Sequence, residues 1–431
     1  MLALGEELLA RGISVSMPAL ADDPHVASLA LSRGDFSIDQ VERPNIVIVD
    51  DYDVQSDVER RWMASGAFVV VVDDAPTRQH ECHLLVDQND LFKRQEDAYR
   101  SRVTASTRLL LGPQFAMLGR SIQRARALQQ RRSAIRRVVV NWGAVDQPEL
   151  TALVERVMAS RGLELRVIAS RDRVSDMAEH WLWADLAVGA AGSSSWERAC
   201  VGLPSVVIAV AGNQDVVGQT LSAAGLAAYV GTMSSVTEAA VTESIAELLV
   251  PDRAAEMAAR CTAAVDGRGA ARVARAIHAQ VRNLSMRVVQ PRDTMMLRAW
   301  RNDPESVRQS LSHCAVAESE HAEWMRHYLS AGGRSLLLIA EMGDRPVGFV
   351  RFDDVADGWR LSYGVAPECR GRGLAAPMVD AGLDELVRQG PTRSITAHVR
   401  EDNVRSLRAL GRCGFVTEER CDGFETLRTL A

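Results

Sequence analysis

The feature that most constrains the fold is a strand, a glycine-rich turn and a helix in direct succession near the C-terminus. Residues 359–365 (WRLSYGV) have the character of a strand, residues 370–375 (RGRGLA) follow, and residues 376–386 have helical periodicity. Glycines let the backbone approach an anion closely, and the helix dipole favours negative charge at the helix start. The pattern predicts a phosphate-binding turn formed by Arg370, Gly371, Arg372, Gly373 and Ala375.

Bulk composition narrows the class of protein. The chain has 431 residues, of which 47% are hydrophobic and 25% charged, as expected for a globular protein of two or three domains. A net charge of -6 argues against nucleic acid or a membrane surface as the main partner. There is no apolar run long enough for a membrane span, and Glu6 and Glu7 interrupt any signal-peptide core. The seven cysteines are scattered without a C-x-x-C motif, so we expect reduced thiols, no metal site and a cytoplasmic location.

The first half alternates apolar strand-like runs with helical segments. Residues 45–50 (NIVIVD) and 68–73 (FVVVVD) are typical of buried parallel strands with polar carboxyl ends, and four further runs follow between residues 136 and 210. We therefore expect an α/β chain: two Rossmann-like lobes, then an α+β domain with a mixed central sheet. The expected domains are residues 1–110 for the first lobe, 111–250 for the second, 251–285 for a helical connector and 286–431 for the last domain.

A second turn between a strand and a helix lies at residues 192–199 (GSSSWERA). Small residues at a helix start leave N–H groups open for a diphosphate, and a glutamate one turn later could accept hydrogen bonds from a ribose. A serine helix cap with a surface glutamate explains the same pattern equally well. The candidate residues are Ser193, Ser194, Ser195 and Glu197, with Asn213 and Gln214 after the next strand.

Residues 286–419 resemble the GNAT acyltransferase superfamily. The Arg-x-x-Gly-x-Ala spacing is similar to its pyrophosphate loop, and Asn403 followed by Gly414-Phe415 also matches. Trp300-Arg301-Asn302 and residues 320–324 (EHAEW) resemble the branch that modifies protein N-termini and amino sugars. The resemblance implies acetyl-CoA as cosubstrate, held by the turn and Asn403.

The same resemblance implies roles around the reacting thioester. The Val365 backbone N–H would polarise the carbonyl. A tyrosine often found seven residues after the asparagine is Leu410 here, so the acid or base remains open among several residues: Tyr363, His398, Glu341, Asp353 and Asp354. An acceptor pocket and simple helix packing are both open for a further set: Trp300, Arg301, His321 and Trp324.

Residues 1–235 resemble the UDP-sugar hydrolase of pseudaminic acid synthesis, a family with a GT-B-like fold. The matching segments are residues 50–52, 73–74, 82–89, 111–118 and 142–146, with Ala144 in place of a family glycine. The resemblance implies a UDP-sugar site that includes Gly143 and the residues of the second turn, with Asn213 in a catalytic role.

One departure weakens the hydrolase expectation. The family begins with a strand and a Gly-x-Gly-His loop that carries its catalytic histidine, whereas residues 1–4 here align inside the following helix. Either the start codon is assigned downstream of the true one, or the lobe has degenerated and only binds. We expect the chain as written to hydrolyse inefficiently; His80 and His83 are the candidate substitutes.

The combined expectation is a bifunctional nucleotide-sugar enzyme of nonulosonic (pseudaminic) acid synthesis. It would acetylate a UDP-4-amino-sugar and then remove UDP, in contact with other enzymes of the sugar pathway. Alternatives are a GT-B-type glycosyltransferase fused to an acyltransferase, a non-catalytic UDP-sugar-binding module, and a protein N-terminal acetyltransferase. Sugar stereochemistry, acyl length and oligomeric state stay open.

Overall fold

A computed structural model describes residues 1–17, 36–37, 41–89, 95–129, 134–143, 145–172, 176–281, 283–310, 312–329, 335–389 and 394–430. The chain divides into two compact units. The N-terminal unit comprises Met1–Glu6 and Ser16–Val273, and the C-terminal unit comprises Glu7–Val15 and Ala274–Ala431.

The first part of the N-terminal unit holds a four-stranded parallel sheet with strand order β3-β4-β5-β6. A two-stranded pair, β1 and β2, precedes it. The elements are α1 (Leu2–Ala10), β1 (Val15–Ser16), β2 (Phe36–Ser37), β3 (Ile46–Val49), α2 (Ser56–Ala64), β4 (Phe68–Val72), β5 (Leu84–Asp87), α3 (Glu96–Arg100), β6 (Arg108–Leu111), a 3₁₀ turn (Pro113–Phe115) and α4 (Arg120–Leu128).

The second part of this unit holds a five-stranded parallel sheet with strand order β11-β10-β9-β7-β8. Its central strands are buried on both faces because helices cover them, which suits their apolar sequences. The elements are β7 (Arg137–Asn141), α5 (Pro148–Ser160), β8 (Glu164–Ile168), a 3₁₀ turn (Ser170–Asp172), α6 (Ala178–Trp183), β9 (Leu186–Ala190), α7 (Ser194–Cys200), β10 (Ser205–Ala209), α8 (Gln214–Ala223), β11 (Ala228–Thr232), α9 (Glu238–Leu248), α10 (Pro251–Ala264) and α11 (Gly269–Val281).

The C-terminal unit is built on a seven-stranded sheet with strand order β12-β13-β14-β15-β16-β18-β17. The sheet is mixed: β15 and β16 pair in parallel and their neighbours pair antiparallel. The elements are β12 (Leu284–Val288), a 3₁₀ turn (Pro291–Asp293), α12 (Thr294–Arg301), α13 (Pro304–Gln309), α14 (Glu318–Leu329), β13 (Leu336–Met342), β14 (Arg345–Val355), β15 (Gly358–Val365), a 3₁₀ turn (Pro367–Cys369), α15 (Ala375–Gln389), β16 (Ser394–Arg400), α16 (Val404–Arg412), β17 (Val416–Cys421) and β18 (Phe424–Leu430).

Helix α15 carries two buried aspartates whose counter-charges come from distant parts of the chain. Asp380 is fully buried, with Arg11 Nε 3.4 Å and His278 Nδ1 2.9 Å from its Oδ2 atom. Asp384 lies 3.6 Å from Arg275 Nε. Charges this deep are tolerated when they are paired. Residues 7–15 and the second half of α11 are therefore integral to the C-terminal unit.

The structure confirms an α/β chain with parallel sheets in the first half and a mixed sheet in the second. After β6 the chain forms a 3₁₀ turn and then α4, with Gly119 as the residue before α4. Strand β11 was not predicted because its residues are all half-buried and lack an apolar run. The domain limits expected from the sequence stay predictions.

Candidate functional site

The glycine-rich turn joins β15 to α15 in the C-terminal unit, as the sequence predicts. Gly371 has φ +77° and Gly373 has φ +70°, conformations that L-residues rarely adopt, and both face open space. Leu374 is buried and anchors the turn just before the 15-residue helix begins at Ala375. The turn thus presents backbone N–H groups at the positive end of a long helix, an arrangement suited to a diphosphate.

The Arg370 side chain is bound within the protein. Its Nη1 atom lies 2.6 Å from Asp303 Oδ2, and its Nη2 atom donates to Ser306 Oγ at 2.9 Å. Asp303 also caps α13 by accepting from the Ser306 N–H. Burial would raise the pKa of Asp303, but the Arg370 hydrogen bond and the backbone donors hold that pKa below its ordinary value. Arg370 therefore ties the turn to α13, while Arg372 is exposed.

Strands β15 and β16 separate beside this turn. In the described part of the sheet, Trp359 pairs with Ile395 and Arg360 with Thr396, and no pair follows. The Ala366 N–H donates to Val347 O at 2.8 Å, and Val365 lies opposite Gly348. Because hydrogen-bonding direction alternates along an antiparallel pair, the Val365 N–H points away from β14, into the gap. A carbonyl oxygen in the gap could accept from it.

Three other predicted residues lie near the gap, with different surroundings. Tyr363 has a buried hydroxyl on β15, and the Ser406 side chain on α16 interacts with it. His398 is exposed on β16, 3.4 Å from Thr426 Oγ1, so it is not a core residue. Asn403 caps α16 by accepting from the Ser406 N–H at 3.1 Å. Leu410 is completely buried, so no polar group replaces the missing tyrosine there.

Some of the residues predicted to bind the acceptor are buried in the packing of the domain, and others have polar contacts near its surface. Trp300 and His321 are buried, and Arg301 donates to Ser312. The Trp324 ring lies 5.1 Å from the His321 ring, and the Arg351 guanidinium lies 5.7 Å from the Trp324 ring centroid. Burial, and then Arg298 and Arg301, lower the pKa of His321, so it is neutral at physiological pH.

Two acid or base candidates already have partners. Glu341 accepts from Arg287 Nε at 2.8 Å, and Arg287 also binds Asp293 through both terminal nitrogens. Asp353 accepts from the Tyr328 hydroxyl and pairs with Arg351. Both carboxylates are thus already engaged by structural partners.

The N-terminal unit contains a cleft of about 260 Å³. Its lining residues follow the carboxyl ends of five parallel strands, β3, β4 and β5 from one sheet and β9 and β10 from the other. Ligands of open parallel sheets bind at such ends. The polar lining residues are Asp50, Asp51, Tyr52, Asp73, Asp74, Arg78, Gln88, Asn89, Ser193, Asn213 and Gln214.

Asp74 joins the two sides of this cleft. Its Oδ2 atom accepts from the Tyr52 hydroxyl at 2.5 Å and from Asn213 Nδ2 at 3.0 Å. Its buried Oδ1 atom has no partner among the residues the structure describes. A second link runs from Trp196 Nε1 to Asn89 Oδ1 at 3.0 Å. Asp74 thus fixes Tyr52 and Asn213 relative to each other across the cleft.

Neither candidate substitute histidine is placed as a base. His80 is buried between Glu59, 2.9 Å from its Nδ1, and Asp73, 3.5 Å from its Nε2. Burial would lower the pKa of His80, but the two carboxylates raise it to about 9, so the imidazole stays protonated. His83 stacks on Phe68, and its Nδ1 accepts from the Val69 N–H. Sequence reasoning missed Arg78, which binds Asp73 at 3.0 Å.

The remaining predicted residues of this unit are only partly in the cleft. Ser193 lines it, but Ser195 is buried and accepts from Arg198. Glu197 accepts from Trp181 Nε1 at 2.9 Å, and burial raises its pKa. Of the other predicted residues, Gln214 lines the cleft, whereas Ser194 is the first residue of α7. Gly143 has φ +87° and does not line the cleft, and Ala144 lies outside the described residues.

Some features are absent from the parts of the chain that the structure describes. No group of three or more His, Cys, Asp or Glu side chains there could hold a metal ion. The described helices include none that is both long and apolar enough to cross a membrane. All seven cysteines have free thiols.

Comparison with known families assigns the C-terminal unit. The family described as acetyltransferase (GNAT) domain matches residues 283–416. These residues form a GNAT acetyltransferase domain, and the chain that carries them is an N-acetyltransferase. No curated protein matches the chain.

Three solved structures illustrate the similarity, each covering 34% of this chain. Spermidine N-acetyltransferase from Vibrio cholerae, in complex with CoA and spermine, is 17% identical, with 95% of its chain covered and a TM-score of 0.31. A domain from Methanocaldococcus jannaschii is 18% identical (98% covered, TM-score 0.31). Aminoglycoside acetyltransferase AAC(6')-Ib in complex with coenzyme A is 19% identical (94% covered, TM-score 0.30).

Proposed function

We propose that this protein acetylates the amino group of a UDP-linked 4-amino sugar, using acetyl-CoA, and that its N-terminal unit binds the same class of nucleotide sugar. The cleft carries this proposal. Side chains from five strands of two sheets converge on it, in a chain that also has an acetyltransferase domain. Both sites would then serve one substrate class.

Acetyl transfer would use backbone groups for the thioester. The turn at residues 370–375 would hold the pyrophosphate of CoA, and the Val365 N–H would donate to the thioester oxygen as negative charge develops there. His398 is the exposed imidazole beside the gap and is a candidate to accept the proton of the acceptor amine. Trp324 and Arg351 supply an aromatic and cationic wall for the acceptor.

The cleft favours binding over fast hydrolysis. Hydrolysis of a sugar phosphate bond by this family type needs a base or acid near neutrality. Among the described lining residues there is no imidazole, and the nearby His80 is locked between Glu59 and Asp73. The exposed carboxylates of Asp50 and Asp51 in the lining can accept hydrogen bonds from a sugar hydroxyl or amide. We therefore propose UDP-sugar binding with, at most, slow release of UDP.

The test supplies acetyl-CoA and UDP-4-amino-4,6-dideoxy-β-L-AltNAc and follows free thiol. Mass spectrometry of the same mixture reads the acetylated sugar and free UDP. We expect stoichiometric thiol and acetylated UDP-sugar, with UDP appearing at least tenfold more slowly.

Each alternative gives a different result. Absence of thiol with this sugar, together with acetylation of peptide N-termini, would overturn the amino-sugar proposal. Free UDP formed as fast as thiol would overturn the binding role of the cleft. A glycoside product in the presence of a second sugar would identify a glycosyltransferase instead.

A further inference from the structure

The cleft in the N-terminal unit has one acidic side. The charged lining residues that follow the strands of the first sheet are Asp50, Asp51, Asp73, Asp74 and Arg78. The lining residues that follow β9 and β10 are uncharged in the part of the chain that the structure describes. Because binding surfaces complement the charge of their ligands, a ligand of this cleft should carry a positive group at its first-sheet end.

Two of the four carboxylates are occupied by groups of the protein. Asp73 accepts from Arg78 Nη2 at 3.0 Å and lies 3.5 Å from His80 Nε2. Asp74 already accepts two hydrogen bonds, one from each side of the cleft. The uncompensated negative charge of the cleft therefore lies on the other two aspartates.

Asp50 and Asp51 carry this uncompensated charge. They directly follow β3, and both residues are exposed. Asp51 Oδ1 accepts from the Asp53 N–H at 2.8 Å, but neither carboxylate forms an ion pair with a described residue. Exposed carboxylates are negatively charged at neutral pH. Two adjacent carboxylates without a counter-charge thus face the interior of the cleft.

The opposite side of the cleft is backed by a buried positive charge. Arg198 on α7 is 1% exposed, and its Nη2 atom donates to Ala190 O at 2.8 Å and to Ser195 Oγ at 2.9 Å. Its Nε and Nη1 atoms are buried without a partner among the described residues. Burial lowers the pKa of Arg198 to about 10, so the guanidinium stays charged at neutral pH. Glu197 offsets this charge only in part, because its carboxylate bonds to Trp181 and forms no ion pair with Arg198.

This guanidinium lies behind the turn that lines the cleft. Residues 191–193 line the cleft, and they lie between Ala190 and Ser195, the two residues that Arg198 binds. A buried charge without an ionic partner is costly, and an anion held against the turn would reduce that cost. The second-sheet side therefore favours a phosphate group and the first-sheet side favours an ammonium group. A UDP-linked 4-amino sugar carries both.

From this polarity we infer that the cleft selects the free-amine form of its nucleotide sugar over the acetylated form. Asp50 and Asp51 are the specificity-determining residues and receive the sugar ammonium, while the diphosphate lies against residues 191–193. The inference rests on the proposed function. An aliphatic amine is largely protonated at pH 7, whereas the acetamide that replaces it is neutral. Acetylation removes the group that the two aspartates attract, so the N-terminal unit retains the substrate of the acetyltransferase and releases its product.

The test uses calorimetry on the full chain at pH 7, without acetyl-CoA. It compares the affinities for UDP-4-amino-4,6-dideoxy-β-L-AltNAc and for its 4-acetylated form. The wild type should bind the amine about tenfold more tightly, because two exposed ion pairs contribute about threefold each. The double substitution Asp50→Asn and Asp51→Asn keeps the side-chain shape, and it should bring the two affinities within about twofold by weakening amine binding. Asp57→Asn, which removes an exposed carboxylate on α2, should keep the preference.

The outcomes separate this inference from the proposed function. Equal affinities in the wild type would overturn the inference and leave the proposed function standing. A preference that persists in the double variant would also overturn it, because the selectivity would then belong to the acetyltransferase site. Absence of binding by both forms would reject the proposed function, and the inference with it.

A substitution at Arg198 tests the opposite end of the ligand, with UDP alone as a further probe. Arg198→Met should weaken the binding of UDP and of both sugar forms by about fivefold to tenfold and leave their ratio unchanged. Arg198→Lys keeps the charge and should lose less than about threefold. An unchanged affinity for UDP in an Arg198→Met protein that unfolds at the wild-type temperature would overturn the placement of the diphosphate.

Discussion

Each unit has a turn between a parallel strand and a helix, but the candidate site of one unit is formed by backbone groups and that of the other by side chains. In the C-terminal unit, two glycines in the left-handed conformation expose backbone N–H groups before a helix of 15 residues. In the N-terminal unit, the turn at Gly192 precedes a helix of seven residues, and the surrounding cleft is lined by side chains.

This contrast indicates which chemical groups of a ligand each site can recognise. A backbone site recognises charge and shape, because peptide N–H groups are the same in every sequence, and it depends on conformation alone. The cleft instead displays carboxylates and amides whose positions depend on one another, such as Asp74 with Tyr52 and Asn213. Substitutions at the turn should therefore act by changing the backbone conformation, whereas substitutions in the cleft should act by removing side-chain contacts.

The largest effect is expected at the turn. Gly373→Val puts a β-branched residue at φ +70°, which costs about 1–3 kcal/mol of backbone strain and displaces the N–H groups. We expect the affinity for CoA, measured by calorimetry, to fall about a hundredfold. Gly411→Val is the matched control, because Gly411 lies in α16 with open space around it and no positive φ. A loss below threefold at Gly373 would refute the backbone site.

The next effect is expected in the cleft. Asp74→Ala removes the acceptor that Tyr52 and Asn213 share, so both side chains lose the contact that positions them in the cleft. We expect the affinity for a UDP-amino sugar to fall about tenfold, a typical value for one charged hydrogen bond.

Two controls sharpen this second prediction. Asp57→Ala removes an exposed carboxylate on α2 and should leave binding unchanged. Gly192→Ala should also cost less than threefold, because its Cβ would meet only the movable Gln214 amide at 3.3 Å. If Gly192→Ala abolished binding while Asp74→Ala did not, the cleft would be a backbone site after all.

The smallest effect that we expect is on the pH dependence of the stability of the N-terminal unit. Glu59, Asp73 and Arg78 surround or adjoin His80, whose folded-state pKa of about 9 exceeds its ordinary value near 6.5. Its stabilising contribution is therefore complete below pH 6.5 and is lost as pH rises through 9. We expect the N-terminal unit to lose about 1–2 kcal/mol, or about 3–6 °C in unfolding temperature, between pH 7 and 9.5.

A pair of histidine variants tests this assignment. His80→Gln should unfold at a lower temperature at pH 7 and lose most of the decline at higher pH. His83→Gln should keep the decline, because burial lowers the pKa of His83 and it is already neutral at pH 7. An identical pH profile in wild type and His80→Gln would show that another group titrates.

The sequence predicts the features that depend on neighbouring residues. The apolar runs of β4 and β7, the turn at residues 370–375 and the helix after it all follow from local periodicity and glycine placement. The partner of Arg370 does not: Asp303 is 67 residues away, and only its helix-capping role is visible in the Asp-Pro dipeptide. His80 likewise resembles any loop histidine until the fold brings Glu59 beside it.

The buried pair of Asp380 and Arg11 determines which residues a self-sufficient acetyltransferase unit must contain. The acetyltransferase unit is assembled from two stretches of chain, and the stretch at residues 7–15 lies more than 250 residues before the rest. A gene segment encoding only residues 283–416 would leave Asp380 and Asp384 without Arg11, Arg275 and His278. A shorter segment of this kind would therefore bury carboxylates without their counter-charges, and it should be less stable than the complete C-terminal unit.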